Sequence, residues 1–513
     1  MKKIILLQLF IALSSCCFLH SCNDKKAGDD YFGTCIGKLK PKNSSQIASS
    51  PFGIQAGTLA DSLVAVAGEI GVKWTRLGAS WPSIEKVKGS YSWDATDKAF
   101  EMALKNGITP FVTLGGGHRL YSELTTYDDP QLAEIYGKKP APPIKDPVAM
   151  EAFLKFAKAT VERYKDKIDY WEVWNEPNHR NYWGSEPNGK EYGTLLLETA
   201  RLIREIDPGG KVIGGAMAGI DPKFADDFLS TGCDQYIDII SYHNYGAVPE
   251  ERVYLALDLW EVMKKYRPGI ELWQGECGYP SHSSTRDFRG RAPWGMNIQA
   301  KWLLRQSFTD IYYCRATLSN YFKLAHTEGR GELPTRSNLR EIDRIFGYPE
   351  RGGSRTKTVG VNEKCLLTNP EMNKKPGFFA YQNLCAIWQP GYKPSPVKYK
   401  VDILDEGIFY GIGPEDDTFP SIPLVTTFRD ENGHTLLSWW LPWNAQEYLP
   451  KPAKVKITLE GVQFKDPVLV DLLSGNVFMV QDYSVKNGQA ILTDLPLSDY
   501  PLVLAEKESL EFK

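Results

Sequence analysis

Eight short apolar segments recur between residues 52 and 322, and segments with helical periodicity separate them. Strands that alternate with helices in this way predict βαβ units and a parallel sheet. Eight repeats favour an α/β fold of the TIM-barrel type, a closed (β/α)8 barrel over residues 51–390, although the pattern alone also allows an open, doubly wound sheet. The predicted strands are Phe52–Ala56, Val72–Leu77, Thr109–Leu114, Tyr170–Trp174, Val212–Ala216, Ile237–Tyr242, Glu271–Gly275 and Ala316–Phe322.

The helical segments are marked by capping signals and by periodicity. Asp146 followed by Pro147 predicts an N-cap with proline at the first helical position. Apolar residues then recur at a 3.6-residue period from Met150 to Tyr164, as expected for a helix that packs one face on the sheet. Because no Gly-x-Gly-x-x-Gly follows the first strand, the sequence does not support a dinucleotide site.

The pattern changes to a two-residue period after about Gly391. Lys398–Leu404 and Lys454–Leu459 alternate along their length, and turn signals such as Asn432-Gly433 separate segments of this kind. This alternating pattern predicts an all-β domain, a β-sandwich, over residues 391–513.

Residues 1–22 resemble a bacterial lipoprotein signal. Lys2 and Lys3 precede an apolar run that is too short to span a bilayer, and Leu19-His20-Ser21-Cys22 has the form in which the cysteine receives the lipid. An ordinary secretory signal is the alternative. We therefore expect export and a lipid anchor at Cys22 on the bacterial cell envelope, at the periplasmic or surface face of the outer membrane. No later segment has the length and apolarity of a membrane span, so we expect membrane contact through the anchor only.

The residues after this signal are polar, and we predict that residues 23–50 form a tether. The formal net charge of −3 argues against nucleic acid as a partner. Cysteines from Cys35 onward show no metal-ligand spacing. Neither Gly-x-Ser-x-Gly nor His-Glu-x-x-His occurs, so the sequence lacks the motifs of a serine esterase and of a metalloenzyme. The sequence therefore predicts neither a cofactor nor a metal.

Two carboxylates stand where two apolar strands stop. Glu176 follows the fourth predicted strand and Glu276 follows the seventh. In barrels of this kind active sites lie at the C-terminal ends of the strands, and strands four and seven face each other across the mouth. Acetal cleavage needs such a pair, because one group protonates the departing oxygen while the other attacks or stabilises the developing oxocarbenium carbon.

Trp174-Asn175-Glu176-Pro177 resembles the acid/base motif of clan A of the glycoside hydrolases. The resemblance implies that Glu176 is the acid/base and Glu276 the nucleophile of a retaining mechanism. In that clan the Asn before the acid/base binds the sugar 2-hydroxyl, a role that falls on Asn175. Arg76 matches the clan's strand-two Arg, and we expect it to keep Glu276 charged.

Two further segments are similar to motifs of the same clan. His243-Asn244-Tyr245 is similar to its His-x-Tyr, in which the Tyr hydrogen-bonds the nucleophile, and both aromatic residues are therefore candidates for the substrate site. His118, after three glycines of the third strand, stands where clan members bind sugar hydroxyls. Residues 71–117 resemble the family 39 members, which are β-xylosidases and α-L-iduronidases. The segment around Glu276 reads Gly-Glu-Cys-Gly, whereas that family usually has Thr-Glu-Phe.

Aromatic residues near the strand ends are candidates for sugar contacts. Trp81, Trp183 and Trp294 fall in predicted βα loops, where they either form sugar platforms or anchor the loops from within. On the eighth strand Tyr321, with Phe322 and His326 as further candidates, is predicted to form the floor of a sugar subsite.

Residues 286–357 carry 11 Arg and 3 Lys against 7 acidic residues. Arginine binds carboxylate and sulfate groups, so this excess is compatible with an acidic glycan as the substrate. A charged, solvent-facing loop with ion pairs is the simpler interpretation, and we favour it.

These observations predict a retaining glycoside hydrolase that cleaves β-type bonds of a poly- or oligosaccharide. A catalytically inactive, surface glycan-binding lipoprotein on the same barrel is the alternative. Such a binding protein tolerates the loss of one carboxylate, and this sequence retains both.

Overall fold

The computed structural model describes residues 31–56, 61–130, 133, 137–245, 248–281, 295–325, 364–368, 371–405, 422–442, 445–447 and 451–513. Their strands, in chain order, are β1 (Cys35–Lys38), β2 (Phe52–Ile54), β3 (Trp74–Ser80), β4 (Thr109–Gly115), β5 (Leu124–Thr125), β6 (Lys139–Pro140), β7 (Tyr170–Val173), β8 (Lys211–Ala218), β9 (Ile239–His243), β10 (Glu271–Cys277), β11 (Leu318–Tyr321), β12 (Lys393–Pro394), β13 (Tyr399–Asp405), β14 (Leu424–Arg429), β15 (Thr435–Trp440), β16 (Ala453–Glu460), β17 (Pro467–Asp471), β18 (Asn476–Met479), β19 (Asp482–Lys486), β20 (Gln489–Leu497) and β21 (Leu502–Glu506). Their α-helices are α1 (Asp61–Ile70), α2 (Trp81–Ile84), α3 (Asp94–Lys105), α4 (Pro147–Tyr164), α5 (Arg180–Trp183), α6 (Gly189–Ile206), α7 (Pro222–Leu229), α8 (Val253–Met263), α9 (Met296–Phe308) and α10 (Pro376–Ile387).

Eight parallel strands close into a barrel in the order β2, β3, β4, β7, β8, β9, β10 and β11, and β11 pairs back to β2. This closure confirms the predicted TIM barrel and excludes the open sheet. All eight predicted strands are present, and their ends differ from the prediction by a few residues.

Helix α4 shows how the local sequence sets an element. The Asp146 carboxylate accepts the backbone N–H groups of Val148 and Ala149 at 2.7 and 3.0 Å, and Pro147 has no N–H that needs a partner. Phe153 and Phe156 are fully buried on the face of the helix that packs on the barrel. The N-cap and the 3.6-residue apolar period together account for the predicted helix.

The barrel interior has two layers that differ in polarity. Because side chains alternate along a strand, residues two positions apart point into the barrel together. The apolar layer comprises Phe111, Ile213, Ile239, Trp273 and Leu318. Two residues further along their strands lie buried polar groups, comprising Thr113, Ser241 and Asn320, together with Arg76 on β3 and Glu172 on β7. The polar layer therefore packs directly on the apolar layer, on the side of the barrel mouth.

The C-terminal region folds into two antiparallel sheets, which agrees with the predicted sandwich. One sheet has the order β1-β18-β17-β21-β15-β14-β12, and the other has the order β13-β16-β20-β19. Helix α9 lies between barrel and sandwich, where Lys301 forms a fully buried ion pair with Asp499. The Tyr313 hydroxyl, after that helix, donates to the carbonyl of Val425 on β14 at 2.9 Å.

The predicted tether over residues 23–50 is wrong for its second half. Strand β1 pairs with β18, with Cys35 opposite Phe478, and so belongs to the larger sheet of the sandwich. Leu39 and Ile47 are buried in the core. Main-chain hydrogen bonds hold this strand, so its polar composition did not reveal it. Residues 1–30, with the predicted signal and Cys22, lie outside the described residues. Among the described helices, none combines the length and the apolarity needed to cross a membrane.

Candidate active site

Glu276 lies near the end of β10, where the strand departs from regular pairing. The register of β10 shifts between Gln274 and Glu276 against β9, as in a β-bulge. Gly275 occupies this point, and a Cβ there would approach within 2.2 Å of the Ser241 hydroxyl oxygen. The irregularity and the small residue together direct the Glu276 side chain to the mouth of the barrel.

Both carboxylate oxygens of Glu276 accept hydrogen bonds. The Tyr245 hydroxyl donates to Oε1 at 2.5 Å, and the Arg76 guanidinium and the Gln55 amide donate to Oε2 at 3.0 and 3.3 Å. Burial raises the pKa of this carboxyl, but the charges of His243 and Arg76, the Tyr245 hydrogen bond and the charge of Lys364 hold the pKa below its ordinary value. Glu276 is therefore ionised at neutral pH, which the predicted role of nucleophile requires.

Glu176 lies three residues after the end of β7, in a backbone held away from regular geometry. Its φ is +46° and that of Trp174 is +72°, and its N–H donates to the carbonyl of Ala216 on β8 at 2.9 Å. Left-handed backbone at residues other than glycine is costly and is concentrated at functional sites. The residue is 8% exposed, and its Oε1 lies 2.9 Å from Nδ1 of His243.

Glu176 and Glu276 meet across the mouth of the barrel. One oxygen of each carboxylate and one ring nitrogen of His243 all lie within 4.8 Å of one another. Retaining glycosidases hold their two carboxyl groups about 5–5.5 Å apart, whereas inverting enzymes leave room for a water and need about 6.5 Å or more. The geometry thus matches the retaining arrangement.

The same three residues form a cluster that has the donor types of a metal site. Hydrogen bonds within the protein account for their positions, because His243 faces Glu176 while Tyr245 and Arg76 hold Glu276. A guanidinium at 3.0 Å from Glu276 repels a second cation. The donor set therefore fits proton transfer and nucleophilic attack better than metal binding.

Arg76 links the nucleophile to Asn175. Its Nη2 donates to the Asn175 side-chain oxygen at 2.9 Å, while its Nη1 contacts Glu276. Burial opposes the charge of Arg76, yet Glu172 and Glu276 raise the pKa of the guanidinium. No hydrogen bond of the described residues uses the Asn175 amide nitrogen, which leaves a donor for a sugar hydroxyl next to the acid/base.

Sequence reasoning missed three residues of this site. Glu172 contacts Arg76, Gln55 contacts Glu276, and Lys364 lies with its Nζ 4.3 Å from the centre of the Tyr245 ring. A signal existed for Glu172, since a carboxylate in the middle of an apolar strand needs a buried partner. Gln55 directly follows the first strand, so its position also pointed to the mouth.

Two of the predicted substrate contacts do not face the pocket. His118 is buried, with Nε2 at 2.7 Å from the backbone oxygen of Glu85 and Nδ1 accepting the N–H of Leu120. Tyr321 is 5% exposed, and its hydroxyl donates to the carbonyl of Lys364 at 3.0 Å. Both polar ends are used within the protein, so the described contacts of these residues support loops, and a contact of either residue with sugar stays a prediction.

His243 and two of the loop tryptophans are also buried, and for the tryptophans this agrees with the second of their two predicted roles. His243 is fully buried and its Nδ1 contacts Glu176, so its described contact positions that carboxyl group, while a contact with substrate stays a prediction. Trp81 and Trp183 are fully buried and anchor their loops, which excludes them as sugar platforms. Phe322 is half-buried and packs edge-on to Tyr245 with ring centres 6.3 Å apart, so it borders the site.

Other predictions fall partly or wholly outside the described residues. Trp294 and His326 lie there, as does most of the basic stretch 286–357. Within the described part of that stretch, Lys301 pairs with Asp499 and Arg305 pairs with Glu250. Those two cations are engaged in buried ion pairs and are not offered to a substrate.

Comparison with known proteins agrees with the geometry. The family described as glycosyl hydrolases family 39 matches residues 76–267, which run from β3 to just beyond α8. A β-xylosidase of Geobacillus stearothermophilus is 29% identical over 166 residues, which are 31% of this chain and 32% of that protein. The match thus spans about a third of the length of that relative.

Solved structures extend the likeness to nearly the whole chain. A family 39 glycoside hydrolase from the gut symbiont Bacteroides cellulosilyticus WH2 has a TM-score of 0.60 at 16% identity, and the match covers 89% of this chain and 81% of that one. A family 30 subfamily 8 xylanase from Clostridium acetobutylicum has a TM-score of 0.55 at 12% identity, with 92% and 97% covered. At such identities the likeness establishes the fold. Together with the family match it confirms the resemblance to clan A of the glycoside hydrolases.

Proposed function

We propose that this protein is a retaining glycoside hydrolase that cleaves β-type glycosidic bonds of an oligo- or polysaccharide. One observation carries the proposal, namely that the carboxylates of Glu176 and Glu276 lie within 4.8 Å of each other in unlike surroundings. Glu276 is held by Arg76 and Tyr245, which favour its charged form, while Glu176 faces His243. Such asymmetry assigns the nucleophile and the acid/base.

The proposed reaction is a double displacement. Glu276 attacks the anomeric carbon and forms an ester bond with it, while the bond to the departing oxygen breaks and Glu176 gives that oxygen its proton. In the second half Glu176 takes a proton from water, the water oxygen bonds to the anomeric carbon, and the ester breaks. His243, at 2.9 Å from Glu176, holds the acid/base in place through both halves.

The choice of first substrate follows from the relatives. One is named as a β-xylosidase, and another match is named as an aryl-phospho-β-D-glucosidase of Bacillus subtilis (strain 168). Aryl β-xylosides and aryl β-glucosides are therefore the first probes, followed by xylan- and glucan-derived oligosaccharides.

The test combines turnover with azide rescue. We expect the wild type to release the aryl group and to give a first product of retained configuration, read by NMR within the first turnovers. Glu276→Ala and Glu176→Ala should each lose most activity, and azide should restore it with inverted product in the first and retained product in the second. A wild type that binds glycans but turns over none of these substrates would instead support an inactive glycan-binding protein.

We also propose that the protein is exported and lipid-anchored at Cys22. The motif Leu19-His20-Ser21-Cys22 supports this, and β1 begins only 13 residues further on, at Cys35. An extended chain spans at most about 3.6 Å per residue, so the start of β1 would lie within about 47 Å of the membrane. Membrane fractionation and intact mass of wild type and Cys22→Ala test this, since the variant should lose the lipid and the membrane association together.

A further inference from the structure

Glu172 is a fully buried carboxylate in the middle of β7. Its Oε2 accepts hydrogen bonds from Nε of Arg76 at 2.7 Å and from the Thr113 hydroxyl at 2.6 Å, and Nη2 of Arg76 lies 2.5 Å away. Its Oε1 makes no hydrogen bond with any residue that the structure describes. Because a buried charge is tolerated only with a partner, Arg76 supplies nearly all the compensation that Glu172 receives.

Arg76 in turn stands between two carboxylates. Its side chain touches Glu172 through Nε and Nη2, and it touches Glu276 through Nη1. The guanidinium is planar and rigid, so fixing two nitrogens on one partner fixes the direction of the third. The same plane directs Nη2 to Asn175 at 2.9 Å.

On the proposed function, we propose that Glu172 is a positioning residue of the reaction, which holds Arg76 against Glu276 and Asn175 and takes up part of its positive charge. Without that second anion the full charge of Arg76 falls on Glu276. The nucleophile then becomes a weaker base and attacks more slowly, although its place in the pocket is kept.

The charge that Glu276 experiences depends on all the charged and polar groups that face it. The cations that face it are Arg76 on β3 and Lys364, His243 on β9 lies beside them, the Tyr245 hydroxyl donates and the Gln55 amide is neutral. Glu176 is the other carboxylate beside it. Glu172 is the anion that shares Arg76 with the nucleophile, and it does so without entering the pocket.

The test replaces the charge but keeps the shape. Glu172→Gln retains an acceptor for Arg76 and should lower kcat roughly 10- to 100-fold, by analogy with the loss caused by removing the hydrogen-bond partner of a metal ligand. The acidic limb of kcat/KM should move to lower pH, because Glu276 then feels the whole charge of Arg76. Glu172→Asp keeps the charge with a shorter reach, so it should lower kcat without that downward movement.

Glu271→Gln is the matched control, since Glu271 is an exposed carboxylate at the start of β10. Its kcat and pH profile should equal those of the wild type. A Glu172→Gln enzyme with an unchanged kcat, or with an acidic limb that moves up, overturns the proposal. Where Glu172→Gln fails to fold, Thr113→Val removes one hydrogen bond to the carboxylate and should lower kcat by a smaller factor, and an unchanged kcat there also overturns it.

Labelling by a 2-deoxy-2-fluoro-β-xyloside with a dinitrophenyl leaving group separates the two proposals. Mass spectrometry of wild type should show one added sugar on Glu276. If the wild type is labelled and Glu172→Gln behaves like it in rate and pH profile, the role of Glu172 fails while the proposed function stands. A wild type that is neither labelled nor active on any substrate overturns the proposed function, and the role of Glu172 with it.

Discussion

The hydroxyl of Tyr245 lies 2.5 Å from Oε1 of Glu276, while Nη1 of Arg76 lies 3.0 Å from Oε2 of the same side chain. Each oxygen of the nucleophile therefore has its own donor, one from β3 and one from the residues after β9. A carboxylate held on both sides is fixed in its plane before substrate arrives. Orientation of this kind removes entropy from the reaction barrier in advance.

Removing the Tyr245 hydroxyl should weaken the nucleophile site in a defined direction. In Tyr245→Phe we expect kcat to fall about 10- to 100-fold, because a hydrogen bond to a charged group contributes about 1.5–3 kcal/mol. The hydroxyl helps to hold the pKa of Glu276 below its ordinary value, so its loss raises that pKa. The acidic limb of kcat/KM should consequently move to higher pH.

Tyr254→Phe is the control for this variant, since Tyr254 is 61% exposed on α8. Its pH profile should match that of the wild type. An acidic limb in Tyr245→Phe that stays in place or moves down would contradict the assigned role of the hydroxyl.

The barrel and its two carboxylates were predictable because each depends on a regular pattern. Strand and helix periods define the eight units, and a charged residue at the end of an apolar strand must face the mouth of the barrel. Glu176 and Glu276 satisfy this rule, and Tyr245 follows the end of β9, whereas Arg76 lies within β3 and reaches the mouth with its long side chain. Strand β1 was not predictable in this way, since an edge strand held by main-chain bonds needs little apolar pattern.

The direction of a side chain at a loop was the harder question. His118 and Tyr321 occupy the right end of the barrel, yet each turns its polar atoms to backbone from a distant part of the chain. The partner of His118 lies 33 residues away, in a loop whose path no local pattern reports. Glu172 and Gln55 were missed for the converse reason, because their contacts depend on side-chain reach between strands that are not adjacent in the barrel.

His118 therefore offers a test that separates support of a loop from substrate binding. Replacement of His118 by Ala leaves the Glu85 carbonyl without its buried donor and should lower the free energy of unfolding by about 1–3 kcal/mol. The KM of the folded enzyme should stay within about twofold of wild type. Asn175→Ala, which removes an amide beside Glu176, should instead raise KM and lower kcat with little change in stability. A raised KM at unchanged stability in His118→Ala would restore it as a sugar ligand.

A buried acid outside the active site should make stability depend on pH. Burial raises the pKa of Asp310 to about 7, although Ser319, Gln306, Gln274 and Tyr242 donate hydrogen bonds that oppose the rise. In the unfolded chain the Asp310 carboxyl ionises near pH 4. Between about pH 4 and pH 7 the folded state therefore holds a proton that the unfolded state has lost. The stabilisation from this proton is complete below about pH 4 and is lost as the pH rises towards 7, which lowers the free energy of unfolding by up to about 4 kcal/mol.

Urea unfolding of wild type and Asp310→Asn between pH 4 and 8 measures this effect. The variant cannot ionise at this position, so the fall in stability with rising pH should be smaller than in the wild type. Asp166→Asn, at an exposed turn, should keep the wild-type slope. Equal slopes in wild type and Asp310→Asn would show that Asp310 does not hold a proton in the folded protein.

The ion pair between Lys301 and Asp499 should couple barrel and sandwich into one unfolding unit. Both side chains are fully buried at 2.9 Å, and Lys301 also donates to the carbonyl of Gln446 at 2.7 Å. Lys301→Met leaves Asp499 as an unpaired buried charge, which costs about 3–5 kcal/mol, whereas the double variant with Asp499→Asn removes that charge and should regain a large part of the loss.

The exposed pair of Lys155 and Glu151 provides the matched control for Lys301, since Lys155→Met should cost no more than about 1 kcal/mol. In calorimetry the wild type should unfold in a single transition, because α9 is buried against both regions. Lys301→Met should lower the Tm of that single transition, so that the barrel and the sandwich still unfold together. Two separate transitions in the wild type, or equal losses in Lys301→Met and Lys155→Met, would show that the pair does not join the two regions.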